Sequence, residues 1–405
     1  MEQYLDKKVM SASDVKTVLH PYVKEGSHLI KKSHSGLKFP PFVNELEGWR
    51  RQPSKSALPT GTLTQGVNVD FEINSTGGHI STMYVELTLK ENNTAAATIS
   101  PYQTFERIEY YVNNGQDLFR IVYPDENYFV RMIAGQGRDF VGFRTKRLAE
   151  YLNADYTPQT NNLAQNGTTT YLLEFNLFEG SQPDIRNLKN GILCRFYFNQ
   201  SAYFCNPAGS TNVSLSNMNI LIRQLNIPQV HYSLPLRHNY INYTRNLQSI
   251  NPMAASTQYD IKLNSLRGCC AFLIIFLRAN PVYTNYTNEN TFLGNVANIE
   301  FHDRNNQLIA FQFYQNLNNY IMAQHFDTDF INSFPTGPNV WILPFSTSPS
   351  QAEQGVQHGF YNLSSDEIVR ITTNSSFSSA NVEVAIWGAM YEHFDIHNGM
   401  MHFTK

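Results

Sequence analysis

Ile108–Phe129 reads IEYYVNNGQDLFRIVYPDENYF, and Ile299–Ile321 reads IEFHDRNNQLIAFQFYQNLNNYI. Both stretches run a β-rich segment into an Asn-rich turn, then a second apolar segment, then an Asn-Tyr pair. A match of this length means one folding unit duplicated and fused, and it constrains the architecture before any single residue is interpreted.

The match extends both ways. Thr62–Phe71 and Met83–Leu89 are β-rich and split by Gly77-Gly78; Gln258–Leu266 and Ala271–Leu277 repeat the arrangement around Arg267-Gly268. Downstream, Tyr171–Phe178 answers to Val340–Phe345, Ile192–Phe198 to Ile368–Thr372, and Met218–Leu225 to Val382–Met390. The correspondences keep one order and a similar offset.

With 405 residues, the chain is too long for one ordinary core and divides naturally into two units. Charged residues make up 16% and aromatics 13%, which suits a protein that buries polar, aromatic surface against copies of itself. A formal charge of -3 gives no case for nucleic-acid binding, and no sequence-specific recognition is expected. Cys194, Cys205, Cys269 and Cys270 have no CxxC spacing, and adjacent cysteines rarely pair. They read as free, mostly buried thiols in a protein assembled in a reducing compartment, the interior of a host cell. The charged start MEQYLDKKVM does not read as a signal peptide. The most apolar run, Cys269–Leu277 (CCAFLIIFL), is too short to span a membrane and reads as a strand buried on both faces.

Residues 1–57 differ from the rest. Leu5, Val9, Ala12, Val15, Leu19 and Tyr22 recur near helical period, and Ser11 with Asp14 offers a capping start. Lys7, Lys8, Lys16, Lys24, Lys31 and Lys32 make the segment basic, and Lys38–Pro59 reads as an extended arm. The functional reading is an internal arm touching a membrane, a genome or a neighbouring subunit. The plainer one is a helix packed on its own domain.

From Leu58 onward, strand-sized segments rich in Val, Ile, Tyr, Phe and Thr alternate with Gly, Asn, Asp and Pro clusters. Asn113-Asn114-Gly115 signals a hairpin, because Asn and Gly accept positive φ; its counterpart Asn305-Asn306 lacks the Gly. Asp125–Ala134 and Phe313–Ala323 are expected to hold short helical turns, and the join between copies falls near Asn226–Asn251. The fold class is therefore all-β: two tandem eight-stranded jelly rolls with a short, partly helical N-terminal arm. The arm takes residues 1–57, the first roll 58–230 and the second 231–405. A β-sandwich of another topology fits the strand count nearly as well.

Phe334–Pro349 (FPTGPNVWILPFSTSP), followed by Gly359–Ser364 (GFYNLS) and Ile368, resembles a stretch of the double jelly-roll major capsid proteins of DNA viruses. In that family an aromatic-rich strand ends in Pro-Phe, and a Gly-x-x-Asn-hydrophobic-Ser segment leads into the next strand. Ile299–Tyr320 resembles the family's preceding strand, turn and tyrosine-bearing segment, so the likeness covers most of residues 250–390. The loop Ser350–His358 departs from it, lacking the Pro-x-Gly of larger relatives. The resemblance implies a homotrimer whose six similar rolls form a pseudo-hexagonal capsomer tiling an icosahedral virion shell. It also implies neighbouring capsomers and penton or minor capsid proteins as partners. Loops such as Asn153–Gly167 and Asn280–Asn295 would form the outer face, with the lysine-bearing arm inside against a membrane.

Enzymatic motifs are missing: no P-loop, GxSxG, HExxH or Gly-rich dinucleotide motif occurs. No cofactor is expected, and no catalytic residue is assigned. Asp327 and Asp329 share a face of an extended segment but read as a solvated loop. His393, Asp395 and His397 also share a face of a strand, and with His402 they are the candidate metal ligands; the plainer reading is a polar face meeting solvent or a neighbour. Trp341 and Trp387 lie in matched strands and read as core. The leading function is a structural capsid protein. The alternatives are a β-sandwich receptor- or carbohydrate-binding spike, or a glycan-active enzyme needing two carboxylates across a cleft.

Overall fold

The computed structural model describes residues 46–74, 78–92, 97–99, 101–123, 161–163, 167–175, 183–206, 212–226, 236–279, 293–314, 317, 340–347, 359–377 and 380–404. The first half comprises β1 (Leu46–Pro53), β2 (Asn68–Ile73), β3 (His79–Glu91), β4 (Ala97–Ile99), β5 (Phe105–Val112), β6 (Asp117–Val122), β7 (Asn161–Leu163), β8 (Thr168–Phe175), β9 (Ile192–Phe198), β10 (Cys205–Asn206) and β11 (Val213–Asn226). The second comprises β12 (Leu236–Met253), β13 (Gln258–Lys262), β14 (Gly268–Ala279), β15 (Val296–His302), β16 (Leu308–Tyr314), β17 (Val340–Pro344), β18 (Tyr361–Leu363), β19 (Ile368–Thr373), β20 (Ala380–His397) and β21 (Met400–Thr404).

Each half is a sandwich. In the first, the sheet β1-β11-β3-β8 faces β2-β9-β5-β6, and β10-β4-β7 forms a small sheet beside them. In the second, β12-β20-β14-β17, extended by β18 and β21, faces β13-β19-β15-β16. The matched sequence segments occupy matched places: β2 and β13, β3 and β14, β5-β6 and β15-β16, β8 and β17, β9 and β19, β11 and β20. The fold is a double jelly roll.

Period-two burial explains why these segments are strands. On β9, Ile192, Cys194, Phe196 and Phe198 point inward while Leu193, Arg195 and Tyr197 point out. Phe71, Phe105, Phe175 and Phe196 meet edge-on or tilted at 5.4–6.3 Å, filling the first sandwich with aromatic volume. β14 breaks the alternation: Cys270 to Arg278 is buried on both faces. Leu273, Ile275 and Leu277 fill the second sandwich, whereas Phe272, Ile274 and Phe276 join a core continuous with the first roll.

The structure redraws one boundary. Leu46–Pro53, assigned by sequence to the extended arm, is a strand of the first roll paired along its length with β11. Its sequence LEGWRRQP carries little apolar alternation, so only the partner strand reveals it. The chain passes from β11, ending at Asn226, to β12, starting at Leu236, inside the expected range Asn226–Asn251; the 18-residue β12 is a strand despite its polar composition because it pairs with β20. The Asn-rich hairpin has the expected geometry, with φ of 52°, 64° and 75° at Asn113, Asn114 and Gly115; Asn306 takes 59° in the second roll. The N-terminal helix, Asp125–Ala134 and most of Phe313–Ala323 lie outside the described residues, although Phe313 and Tyr314 close β16. Asn161–Leu163, within the expected outer loop Asn153–Gly167, is the strand β7.

All four cysteines are free thiols; Cys194, Cys205 and Cys270 are buried and Cys269 is half-buried. Burial raises the pKa of the three buried thiols and leaves them protonated and inert. Alkylation of the native protein is therefore expected to modify Cys269 alone, and denaturation should open the other three, as mass spectrometry of the labelled peptides would show.

Candidate assembly surface

The first feature that positions any surface is the seam joining the rolls. Edge strand β6 brings Phe119 against Tyr240 of β12, Phe394 of β20 and Phe403 of β21. The centroid distances are 5.4, 6.1 and 5.1 Å, and the Phe403 ring is stacked. At the tip of the β5-β6 hairpin, Asn113 Nδ2 donates to the Met401 carbonyl at 2.8 Å, and Met401 N–H donates to Asn113 Oδ1 at 2.9 Å. This side-chain amide completes a backbone pair that β21, at the sheet edge, would otherwise leave to water. Beside it, Lys189 N–H donates to the Gly399 carbonyl at 2.7 Å. Gly399 has φ +79° and its absent Cβ would sit 2.9 Å from Lys189 Cβ, so both conformation and close approach call for Gly.

The seam also holds polar groups. Tyr240 donates its hydroxyl to Glu392, which also accepts from Asn242 Nδ2 at 3.1 Å. Burial, reinforced by the Glu392 charge, pushes the Tyr240 phenol well above its usual pKa and keeps it a donor. Arg245 lies over the Tyr123 ring at 3.1 Å, and Tyr123 meets Trp387 edge-on at 6.4 Å. The rolls are thus one packed unit rather than two linked domains.

The outward faces of β2-β9-β5 and β13-β19-β15 carry the same constellation. Arg195 of β9 donates from Nε and Nη2 to both oxygens of Asp70 at 2.8 and 3.0 Å, and Glu109 of β5 stands opposite it. Arg370 of β19 does the same to Asp260 at 2.7 and 3.0 Å, with Glu300 of β15 opposite. Two residues on, each glutamate takes a further donor: Tyr111 Oη at 2.6 Å for Glu109, His302 Nε2 at 2.8 Å for Glu300. The Asp70 carboxylate raises the Arg195 pKa, and the Glu109 bond pushes the Tyr111 phenol up to about 12. Arg370 holds Asp260 below its usual pKa. Bidentate geometry pins strand register, and in the first roll Arg107 adds a stacked cation 3.9 Å over Tyr197. Part-exposed pairs stabilise little, so these ladders matter as shaped, fixed-charge surface.

The residues singled out in the sequence fall into three groups. Lys7, Lys8, Lys16, Lys24, Lys31 and Lys32 lie outside the described residues, as do Asp327 and Asp329. His393, Asp395 and His397 alternate on β20 with the buried Phe394 and Ile396, and Asp395 stands opposite His402 of β21. They share a face as expected, but among the described residues no three His, Cys, Asp or Glu side chains converge to hold a metal. Trp341 and Trp387 are buried core residues. The seam contacts of Asn113, Phe119 and Phe403 and the Asp-Arg-Glu ladders escaped sequence reading, although Asn113 itself was read as a hairpin residue. The one available signal was Glu109 and Glu300 at equal places in the repeat; the Arg and Asp needed strand pairing to be seen. Among the described residues, no helix is long and apolar enough to cross a membrane.

No family model matches the chain, and no curated protein matches it in sequence. Solved structures do match it in fold. PBCV-1 VP54, fitted into a cryo-EM reconstruction of the virophage Sputnik, aligns over 91% of this chain and 98% of its own, with TM-score 0.64 and 13% identity. The Faustovirus major capsid protein aligns over 97% and 100%, with TM-score 0.61 and 10% identity. The major capsid protein of Sulfolobus Turreted Icosahedral Virus aligns over 86% and 96%, with TM-score 0.51 and 13% identity. At these identities the likeness is one of fold.

Proposed function

We propose that this chain is a viral major capsid protein, a homotrimer forming pseudo-hexameric capsomers that tile an icosahedral shell. The observation that carries the proposal is that the likeness runs through both rolls and spans 98–100% of the VP54 and Faustovirus chains. The common unit is the whole tandem rather than one β-sandwich. A rigid seam supports it, since two rolls held in fixed relation present two similar sides. Taken three times, they give six sides for a near-hexagonal lattice. Fixed-charge outer faces suit repeated contacts with neighbouring capsomers and with penton or minor capsid proteins. In this proposal the lysine-bearing N-terminal arm faces the interior, with a membrane as its partner, and the protein resides in the virion after assembly inside the host cell. No catalytic step is assigned to it.

Light scattering tests the proposal. The purified protein is expected at about three times its 46.3 kDa chain mass, with no monomer on dilution. A mass of one chain at every accessible concentration would count against the capsomer.

A further inference from the structure

The two rolls anchor their matched hairpins by different chemistry. In the first, the β5-β6 turn is tied to the Met401 backbone through the Asn113 amide, and Tyr111 of β5 donates to Glu109 at 2.6 Å. Neither anchor changes charge near neutral pH, because an amide does not titrate and the Glu109 bond pushes the Tyr111 phenol up to about 12. In the second roll His302 of β15 takes the place of Tyr111, and it is 5% exposed. Its Nε2 lies 2.8 Å from Glu300 Oε2, and its Nδ1 lies 3.4 Å from the carbonyl oxygen of Asn306 in the β15-β16 turn. A carboxylate and a carbonyl both accept. A neutral imidazole has one N–H to offer them and an imidazolium has two, so only the charged ring satisfies both neighbours. In the neutral ring the N–H goes to the nearer, charged acceptor, and Nδ1 turns a lone pair toward the Asn306 carbonyl.

The turn closes around Asn306. Its N–H donates to the Asp303 carbonyl at 2.9 Å, Asp303 N–H donates to the Gln307 carbonyl at 3.0 Å, and the Asp303 carboxylate accepts from Asn305 and Gln307 N–H at 2.9 and 2.8 Å. Arg370 Nη2 reaches the Asn306 side-chain oxygen at 3.2 Å while it forks Asp260. The sheet therefore grips Asn306 twice, by its side chain from Arg370 and by its backbone from His302. The charged groups around the ring come from three elements. Glu300, Asp303 and Arg304 belong to its own strand and turn, Arg370 to β19, and Asp260 and Lys262 to β13. The neighbouring strand β16, LIAFQFY, brings no charged side chain, and Glu367, just before β19, accepts from Ser364.

We infer that His302 is a proton-operated latch on the β15-β16 turn. Charged, it ties the Asn306 carbonyl to Glu300 and closes the turn; neutral, it lets that carbonyl go and the turn loosens. The closed turn holds one proton more than the loosened one. Closure is therefore favoured at the acid end and lost as the pH rises through the range in which histidine changes charge, about pH 5 to 8. The first roll, with Tyr111 in this place, stays closed throughout. The latch needs no second chain, so it stands or falls apart from the capsomer.

Amide hydrogen exchange of the full chain tests it, read by mass spectrometry at about pH 5 and about pH 8. Residues 303–308 are followed, and residues 112–117 of the first-roll turn serve as the internal reference that removes the intrinsic pH dependence of exchange. Protection of the second turn relative to the first is expected to fall by about tenfold on going to the higher pH, the worth of one hydrogen bond. His302→Tyr, which copies the first roll, is expected to abolish that change and keep the turn protected at both pH values. His302→Gln, neutral at both, should also show no change and carries the test if the tyrosine disturbs the fold. Titration of Asp303 cannot imitate the result, because protonating that carboxylate would loosen the turn at the acid end. A relative protection that is the same at both pH values in the unmodified protein overturns the latch, as does a fall that persists in both variants.

Discussion

Phe119→Ala is expected to cost about 3–5 kcal/mol of stability, the range for emptying a buried aromatic site. The side chain is 8% exposed and lies among three aromatic rings, all supplied by the other roll. The cavity would open where Tyr240, Phe394 and Phe403 are held by strands that the mutation does not touch, so collapse around it is limited. A qualitative effect accompanies the energy. Phe119 belongs to the core that runs across both rolls, whereas the second sandwich has its own separate core. Loosening the seam should therefore split one cooperative denaturant transition into two, the separate second core being followed by the fluorescence of Trp341 while Trp387 reports the seam. Leu118→Ala is the matched control: one residue away on the opposite face and half exposed, it should change stability by no more than about 0.5 kcal/mol. Equal effects from the two substitutions would mean that the seam does not couple the rolls.

The duplication was legible because burial imposes the same period on both copies. The alternation of Ile192–Phe198 and the unbroken run Cys269–Leu277 are direct imprints of one-faced and two-faced burial. Ile108-Glu109 and Ile299-Glu300 aligned because each pair sits on the same strand of its roll, inward and outward respectively. Legibility failed where the cause lies in a partner strand. Leu46–Pro53 has Glu, Arg and Gln in a strand that β11 nonetheless pairs residue for residue. The Asp70-Arg195 and Asp260-Arg370 forks join residues 125 and 110 positions apart, and no local pattern announces such a pair. The seam was least legible of all. Asn113 reads as a turn residue, which it is, and nothing in the turn says that its amide also closes a backbone pair with Met401. The His393, Asp395 and His397 face was correctly placed by alternation, but a shared face is a weaker condition than convergence on one point.

Arg278→Met should be among the most damaging single changes in the second roll. Arg278 ends the doubly buried run of β14 and stands opposite Glu383 of β20, with Nε and Nη2 both 2.6 Å from Oε1. The side chains are only 6% and 10% exposed, so water does little to screen either charge. Removing the guanidinium leaves a carboxylate in apolar surroundings, at an expected cost of about 3–5 kcal/mol. Desolvation, rather than loss of attraction, is the larger part of that penalty. The double variant Arg278→Met with Glu383→Leu removes both charges and should recover most of the loss, ending between neutrality and about 1–4 kcal/mol of added stability. Urea unfolding of the two singles and the double closes the cycle. The duplicated fold supplies an internal comparison: the matched place in the first roll has Lys90 opposite Ser214, where the lysine reaches solvent. The jelly roll therefore does not need an ion pair at this position. A double variant as unstable as Arg278→Met would show that Arg278 has a role beyond neutralising Glu383, and its nearness to the Phe276 ring, 5.7 Å from the guanidinium, names the packing that would then be responsible.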